Sequence, residues 1–341
     1  MEIDIILEPD LSPRQVAELG VAAERYGVRA VWSSNYFAHW DCFLSLVPLL
    51  QQTQKLLVGP LAISPFEMHP LKIANSLLSL NEMSDGRAVV AMGAGEGNID
   101  AMGLAKPAKI VRAVREAIEI VRGAGRGQLA KGYQGEDFQV NFPCAYGWIK
   151  SSPPLVYGTA YRGMMMRMEA RVADGVYIGC TPPEVMAEAM AEVSEGAAKR
   201  AAGMAPLRTN TFWAWHLKRD RKEGYRESRR EIAWRARKLE AELLAQVLQP
   251  DEVRLVRDNY DKCVAAWFDR SGNIQGMPEA IPNRLCEYFT STGGLEDIER
   301  EIERFRMFGR AGLTEVALRL HDEPMEALQI IGERVMPALR G

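Results

Sequence analysis

Short runs of β-branched and apolar residues alternate along this chain with longer stretches whose apolar positions recur every three or four residues, the periods of strand and helix. Residues 3–7 read as a strand, and Ser12-Pro13 opens a helix with serine as N-cap and proline at its first position. Val16, Leu19, Val21 and Ala22 form the apolar stripe of that helix, and Gly27 ends it. The same reading predicts strands at 29–33, 56–63 and 87–94 and helices at 42–52, 71–83 and 109–121. Residues 126–152 lose helical periodicity and read as an excursion with a small hairpin. Strands follow at 154–158, 175–179 and 207–217. Helices follow at 164–172 and from Thr181-Pro182-Pro183-Glu184 to about 200. Residues 220–292 are mostly helical, a helix spans 295–308, a last strand 313–320, and a closing helix 325–338.

Eight strands, each followed by helix, predict a closed parallel barrel, since parallel neighbours need a crossover between them. The unbroken apolar run Arg87 to Ala94 suits a strand buried on both faces. The expected fold class is α/β, a (β/α)8 TIM barrel forming one domain over 1–341, with a helical insertion at 220–292 before the last strand. No linker of Pro, Gly and Ser divides the chain.

A formal net charge of −3 gives no pull toward nucleic acid or anionic lipid. Lys218 to Lys238 is rich in arginine but mixes in Glu and Asp, with Glu231 and Arg235 as an i,i+4 pair, and reads as a solvated helix face. No apolar run reaches the ~18 residues of a membrane span, and no apolar leader is visible. The five cysteines are scattered and odd in number, as in reduced cytoplasmic proteins. Four histidines in no paired spacing argue against a metal site.

A barrel of this kind carries its chemistry at the C-terminal ends of its strands. His39, His69, His216 and His321 all map there, each as a proton carrier or as a structural residue. After the fourth strand comes Gly93-Ala94-Gly95-Glu96-Gly97-Asn98, where glycines let backbone N–H groups approach an anion. Its spacing is not the dinucleotide fingerprint. Glu96 reads equally as an acid–base group and as a solvated turn residue. Gly158-Thr159-Ala160-Tyr161-Arg162-Gly163-Met164 joins the fifth strand to a helix N-terminus, a natural phosphate site with Arg162 beside it. The run Met164-Met165-Met166 reads as core filler.

These residues resemble a known family. Gly59-Pro60-Leu61-Ala62-Ile63-Ser64-Pro65-Phe66-Glu67-Met68-His69-Pro70 is similar to the G-P-x-x-x-x-P-x-x-x-H-P pattern of bacterial-luciferase-like enzymes. The branch resembled is that of the methylenetetrahydromethanopterin reductases and other enzymes using the deazaflavin coenzyme F420. Ser84-Asp85-Gly86-Arg87, Gly93 to Glu96 and Ala173-Asp174-Gly175 match as well. The resemblance covers most of 1–180 and 290–338 and is weakest in the insertion. It implies a ring across the barrel mouth, backed by a non-proline cis peptide at Leu61–Ala62, with Ala94 and Gly95 beside it. It also implies a phosphate at Gly158, Thr159, Ala160, Arg162, Gly163 and Met164, where Arg162-Gly163 replaces the common Gly-Pro. Ser34 to Trp40 resembles the S-D-H-F-x-x-W loop of the F420-dependent sugar-phosphate dehydrogenases. Trp40 and Glu96 match that group's ring-side Trp and catalytic Glu, while Tyr36 replaces its His and Asn35 its Asp. His39 stands three residues on as a substitute proton carrier. Glu96-Gly97-Asn98 and Lys106-Pro107 also look like the phthiodiolone ketoreductase branch.

The expectation is therefore hydride transfer between F420 and a small organic substrate, a ketone, alcohol or pterin. Glu96, His39, Tyr36 and Trp40 are the catalytic candidates, and Asn35, Leu61 and Ala62 lie at the ring. Lys106, Lys109 and Arg112 are candidate cations for the glutamate tail of F420. An FMN-dependent monooxygenase and a cofactor-free binding protein are the rival readings. A homodimer is expected, and Trp234, Tyr260, Trp267 and Phe268 of the insertion suggest a sizeable ligand.

Overall fold

A computed structural model describes residues 1–105, 107–238 and 241–340. Its strands are β1 (Glu2–Leu7), β2 (Ala30–Ser34), β3 (Leu57–Leu61), β4 (Val89–Met92), β5 (Leu155–Ala160), β6 (Gly175–Ile178), β7 (Arg208–Leu217) and β8 (Glu315–Arg319). Neighbours pair in parallel in the order β3-β2-β1-β8-β7-β6-β5-β4. The bridges Val58 to Ala88 and Ile63 to Met92 join β3 to β4 and bring the ring round on itself. The fold is thus the expected parallel barrel.

Strand period puts alternate residues inside the barrel and outside it. Outward residues such as Ile5, Val58, Val156 and Leu318 pack under Leu77, Ile118 and Phe305 of the surrounding helices. Inward residues fill the middle of the barrel, as the fold requires. There Trp32 meets Tyr157 and Tyr177 edge-on, at 5.6 and 5.4 Å between ring centres.

Helix α1 (Pro13–Tyr26) has the expected ends: Ser12 and Gln15 form a capping box, and Gly27 takes the left-handed φ of 81°. The helix expected at 42–52 is shorter. A 3-10 turn at Leu44–Leu46 leads into α2 (Val47–Leu50), because Pro48 has no N–H and an α-helix can start at it but not run through it. Then come α3 (Pro70–Met83), α4 (Glu96–Ala101), α5 (Ile110–Gly125), α6 (Gly163–Val172) and α7 (Met186–Ala197). The last starts later than the prolines at 182 and 183 suggested. The excursion holds the expected hairpin, Tyr133–Gln134 against Gln139–Val140.

Residues 221–289 form α8 (Arg221–Lys238), α9 (Ala241–Leu244), α10 (Pro250–Asp258), α11 (Tyr260–Phe268) and α12 (Ala280–Phe289). They share an apolar cluster of their own, including Ile232, Val256, Cys263 and Leu285. Within the span assigned to the insertion, Ser291–Gly293 returns to the sheet and pairs with the end of β7. A further helix, α13 (Ile298–Ala311), precedes β8.

The reading of 218–238 as a solvated face needs correction. Glu227, Ser228, Arg230 and Glu231 of α8 are buried. They are buried because the barrel mouth beneath α8 offers them charged partners. Trp267 packs into the insertion's own cluster and Phe268 is exposed, so these aromatics do not carry the expectation of a bulky ligand. The side chains of Trp234 and Arg235 lie outside the described residues.

Candidate active site

The mouth is built by the loops after β2, β3 and β4. After β2, the Asn35 N–H donates to the Leu61 carbonyl at 3.0 Å, and Asn35 Nδ2 donates to the Ala62 carbonyl at 3.2 Å. Asn35 therefore grips both sides of the Leu61–Ala62 peptide, which is cis as the resemblance implied. Glu67 organises the rest. Its Oε1 accepts from Asn35 Nδ2 at 2.6 Å and from the Ser64 N–H at 2.8 Å, and its Oε2 accepts from Asn98 Nδ2 at 2.6 Å. Ser64 Oγ donates to the Ala94 carbonyl at 2.9 Å. One carboxylate thus ties three loops, and hydrogen bonds to a charged acceptor are the strong kind. Glu67 and Asn98 were not sequence candidates as individual residues. The available signal was a carboxylate two residues before a helix-capping His69 in an otherwise apolar loop.

Two glycines after β4 are dictated by space. A Cβ on Gly93 would stand 2.0 Å from Thr159 Oγ1, and one on Gly95 2.3 Å from Ser64 Cβ, with Gly95 also at a φ of +66°. Thr159 sits beside Gly93, on the neighbouring strand. Its neighbours Gly158 and Ala160 point the other way. A Cβ on Gly158 would strike Glu169 Cγ at 2.3 Å, and Ala160 is buried in the layer between strands and helices. Strand alternation therefore leaves one inward residue, Thr159, between two expected site residues that face outward. Arg162 is the extended N-cap of α6 and makes no side-chain cap, so among the described residues the N–H groups of Gly163, Met164 and Met165 head a helix without an N-cap side-chain bond. Met164 is 65% exposed and so is not the core filler its neighbours suggested.

At the other side of the mouth, Glu8 just after β1 and Arg319 at the end of β8 carry charge. Arg319 pairs with Glu8 through two nitrogens, one at 3.0 Å, and its Nη2 donates to Tyr36 Oη at 3.1 Å. His321 Nδ1 stands 3.3 Å from Glu8 and its Nε2 3.8 Å from Glu231 of α8. The His321 ring stacks on His216 at 4.6 Å, and His216 Nδ1 is 2.8 Å from Glu227. Burial raises the pKa of the Tyr36 phenol, against the pull of Arg319. Burial likewise raises the Glu8 carboxyl, again opposed by Arg319. Tyr36 therefore keeps its proton at neutral pH.

The four histidines divide. His216 and His321 are buried together, while His69 is exposed and accepts the Leu71 N–H at 3.1 Å to cap α3. His39 is exposed, 6.1 Å ring to ring from Tyr36. His39 and Trp40 line a recess of about 400 Å³ with Asp10 and Asp41. Glu96 begins α4 after the turn at Gly95, but its side chain lies outside the described residues, as does Lys106.

The barrel, the cis peptide and the glycine turns agree with a sequence match that spans residues 2–315 of the chain, to the luciferase-like monooxygenase model. The chain belongs to the luciferase-like monooxygenase family. Among the relatives of this family member is the 5,10-methylenetetrahydromethanopterin reductase of Archaeoglobus fulgidus, 25% identical over the full length of both chains. The F420-dependent glucose-6-phosphate dehydrogenase of Nakamurella multipartita is 24% identical over 96% of this chain and 93% of that one. The structure of the coenzyme F420-dependent tetrahydromethanopterin reductase from Methanopyrus kandleri superposes with a TM-score of 0.81 at 19% identity, covering 99% of this chain and all of the other. Among the described residues of this luciferase-like chain, no helix is long and apolar enough to cross a membrane.

Proposed function

We propose that this luciferase-like protein is an F420-dependent oxidoreductase that transfers a hydride to or from a small ketone, alcohol or pterin-like substrate. The observation that carries the reading is the similarity over nearly the whole chain to F420-dependent relatives. The mouth suits that coenzyme: its cis wall is flat and clamped, its glycine turns leave no room for side chains, and α6 presents an uncapped N-terminus. When bound, F420 supplies or accepts the hydride at its ring.

The chain's own residues do the rest. Asn35 and Glu67 hold the Leu61–Ala62 peptide as the back wall for the ring. Ala94 and Gly95 bring backbone close to the ring edge. Thr159, Arg162 and the first N–H groups of Gly163 and Met164 face the phosphate. Tyr36 Oη holds a proton next to Arg319, ready for a developing alkoxide, and Glu96 and His39 are the other proton carriers. Trp40 walls the entrance and excludes water. We read the chain as one domain in which helices of 220–292 cap the mouth through Glu227, Arg230 and Glu231, and as a cytoplasmic homodimer.

The test is titration of the purified protein with F420 and separately with FMN, following ring fluorescence. F420 should bind tightly and FMN weakly. The reverse preference would make the chain an FMN-dependent monooxygenase, and binding of neither at high micromolar concentration would leave a cofactor-free binding protein.

A further inference from the structure

The Tyr36 hydroxyl, on the loop after β2, has one hydrogen-bond partner among the described residues, Arg319 Nη2 at 3.1 Å. A guanidinium carries donors only, so the phenol oxygen accepts in this bond and its own hydrogen points away from Arg319. Among the described residues nothing accepts that hydrogen, which leaves it for a ligand of the mouth.

Arg319 is held from several sides. It ends β8 beside Ile6 of β1, and strand alternation carries the same inward face on to Glu8. Glu8 accepts from Arg319 Nε and, at 3.0 Å, from Nη2. The two hydrogens of Nη2 thus go to Glu8 and to Tyr36. Nη1 stands 3.9 Å from Glu231 of α8, and the guanidinium lies 5.6 Å from the Phe212 ring centre and 5.8 Å from that of Tyr36. Burial opposes the charge on Arg319, but Glu8, Tyr36 and Glu231 more than offset it, so the cation persists. The charged and titratable groups around the phenol are therefore Arg319, Glu8, Glu231 of the insertion and His39 of its own loop.

We propose that Arg319 is the positioning residue of the proton step, turning the Tyr36 hydrogen toward the substrate and holding the phenolate left behind, and that the step serves a carbonyl–alcohol couple. The proposal rests on the F420 reading. In the reducing direction the carbonyl carbon receives the hydride of the reduced coenzyme, and the C=O π pair goes to oxygen. The O–H bond of Tyr36 breaks as a new one forms on that oxygen, leaving the alcohol, the oxidised coenzyme and a phenolate beside Arg319. Solvent then returns a proton to Tyr36, and the ring proton released on coenzyme oxidation balances it. An alkoxide is more basic than a phenolate, so the proton moves downhill. A methylene bridge between two pterin nitrogens opens only after an aryl-bound nitrogen is protonated, and that takes an acid much stronger than a buried phenol.

The first measurement needs no coenzyme. The protein is labelled with difluorotyrosine, whose phenol is more acidic than that of tyrosine, and Tyr36→Phe assigns the Tyr36 signal in fluorine NMR. Glu8→Gln is compared with the double variant Glu8→Gln/Arg319→Gln, which strands no carboxylate at position 8. The Tyr36 midpoint should lie about one to three pH units higher in the double variant, the shift for an opposite charge at close range. Equal midpoints would overturn the proposal whatever the coenzyme. The second measurement follows oxidation of reduced F420 with acetone, cyclohexanone and methylenetetrahydromethanopterin. The ketones should turn over. Arg319→Lys, whose ammonium lacks the fork that serves Glu8 and Tyr36 at once, should lower kcat roughly tenfold at nearly constant KM, part of the contribution of a proton donor. The alkaline limb of its kcat profile should move to higher pH, because a less stabilised phenolate forms later, whereas loss of a merely structural contact would leave the limb in place. An unmoved limb, or no turnover of either ketone by the coenzyme-loaded protein, would overturn the proposal with the F420 reading intact. If no deazaflavin bound, the F420 reading would fall and the substrate class with it, while the midpoints would still decide whether Arg319 holds the phenolate.

Discussion

Two charged clusters sit inside the barrel, one at each end, built from the same strands four residues apart. At the base, Asp4 of β1 and Glu315 of β8 share Arg29, which reaches them at 2.8 and 2.9 Å. Trp32 Nε1 and Asn210 Nδ2 also donate to Asp4, at 2.9 and 2.8 Å, and the Tyr157 hydroxyl donates to Glu315 at 3.0 Å. At the mouth, Glu8, just past the end of β1, and Arg319 of β8 repeat the carboxylate–arginine pairing, but their neighbours are Tyr36 and two stacked histidines, roofed by Glu227 and Glu231 of α8. The base is enclosed by the strands themselves and closes the core. The mouth is completed by a helix from a distant stretch of chain and holds two stacked imidazoles. Similar chemistry on the same strands can therefore serve packing at one end and proton handling at the other, according to what covers it.

The sharpest break of this comparison is Arg29→Ala. It leaves Asp4 and Glu315 buried without their shared cation, and should lower unfolding stability by about 3–5 kcal/mol in urea titrations. Coenzyme affinity of the folded fraction should survive, and its loss would mean that the base also shapes the mouth. Next, Tyr36→Phe should reduce turnover on the order of 10²-fold at nearly constant KM, the range for a positioned proton donor. Full activity in that variant would move the proton to Glu96 or His39.

The pH dependence of stability separates the ends further. Burial pushes the Glu315 carboxyl up to about 7, against the pull of Arg29 and with Asp4 adding to the rise. The native chain then holds a proton that the unfolded chain releases near 4.5. This group's contribution is thus largest below pH 4.5, falls as the pH climbs to about 7, and is level above that. Thermal unfolding across this window should show a loss of about 1–3 kcal/mol in the wild type that Glu315→Gln removes. An unchanged slope in the variant would remove Glu315 from the account. The smallest effect belongs to Glu67→Gln. It loses one charged acceptor among Asn35, Ser64 and Asn98, and should weaken coenzyme binding roughly tenfold without changing turnover at saturation.

Much of this site was legible before the fold. The motif around Leu61 and Ala62 located the cis wall, and Gly93 and Gly95 stood where only glycine fits. Asn35 was placed at the ring, though not as the residue that grips the cis peptide from both sides. Glu67 was passed over because its partners come from three separate loops. Which of Gly158, Thr159 and Ala160 faces the mouth was not legible, because loop motifs carry no record of which way a strand residue points until its register is known.

By itself the sequence determined the alternation of strand and helix, and hence the parallel barrel, since apolar period and end caps are local properties of the chain. It also determined the glycine turns and the uncapped start of α6, which depend on a few adjacent residues. Only the tertiary structure decided that His216 and His321 stack, and that α8 buries its acids over Arg319. These depend on contacts between residues up to hundreds of positions apart. Such contacts form only when the closed ring brings the ends of β1, β7 and β8 under the inserted helix, a proximity no local pattern encodes.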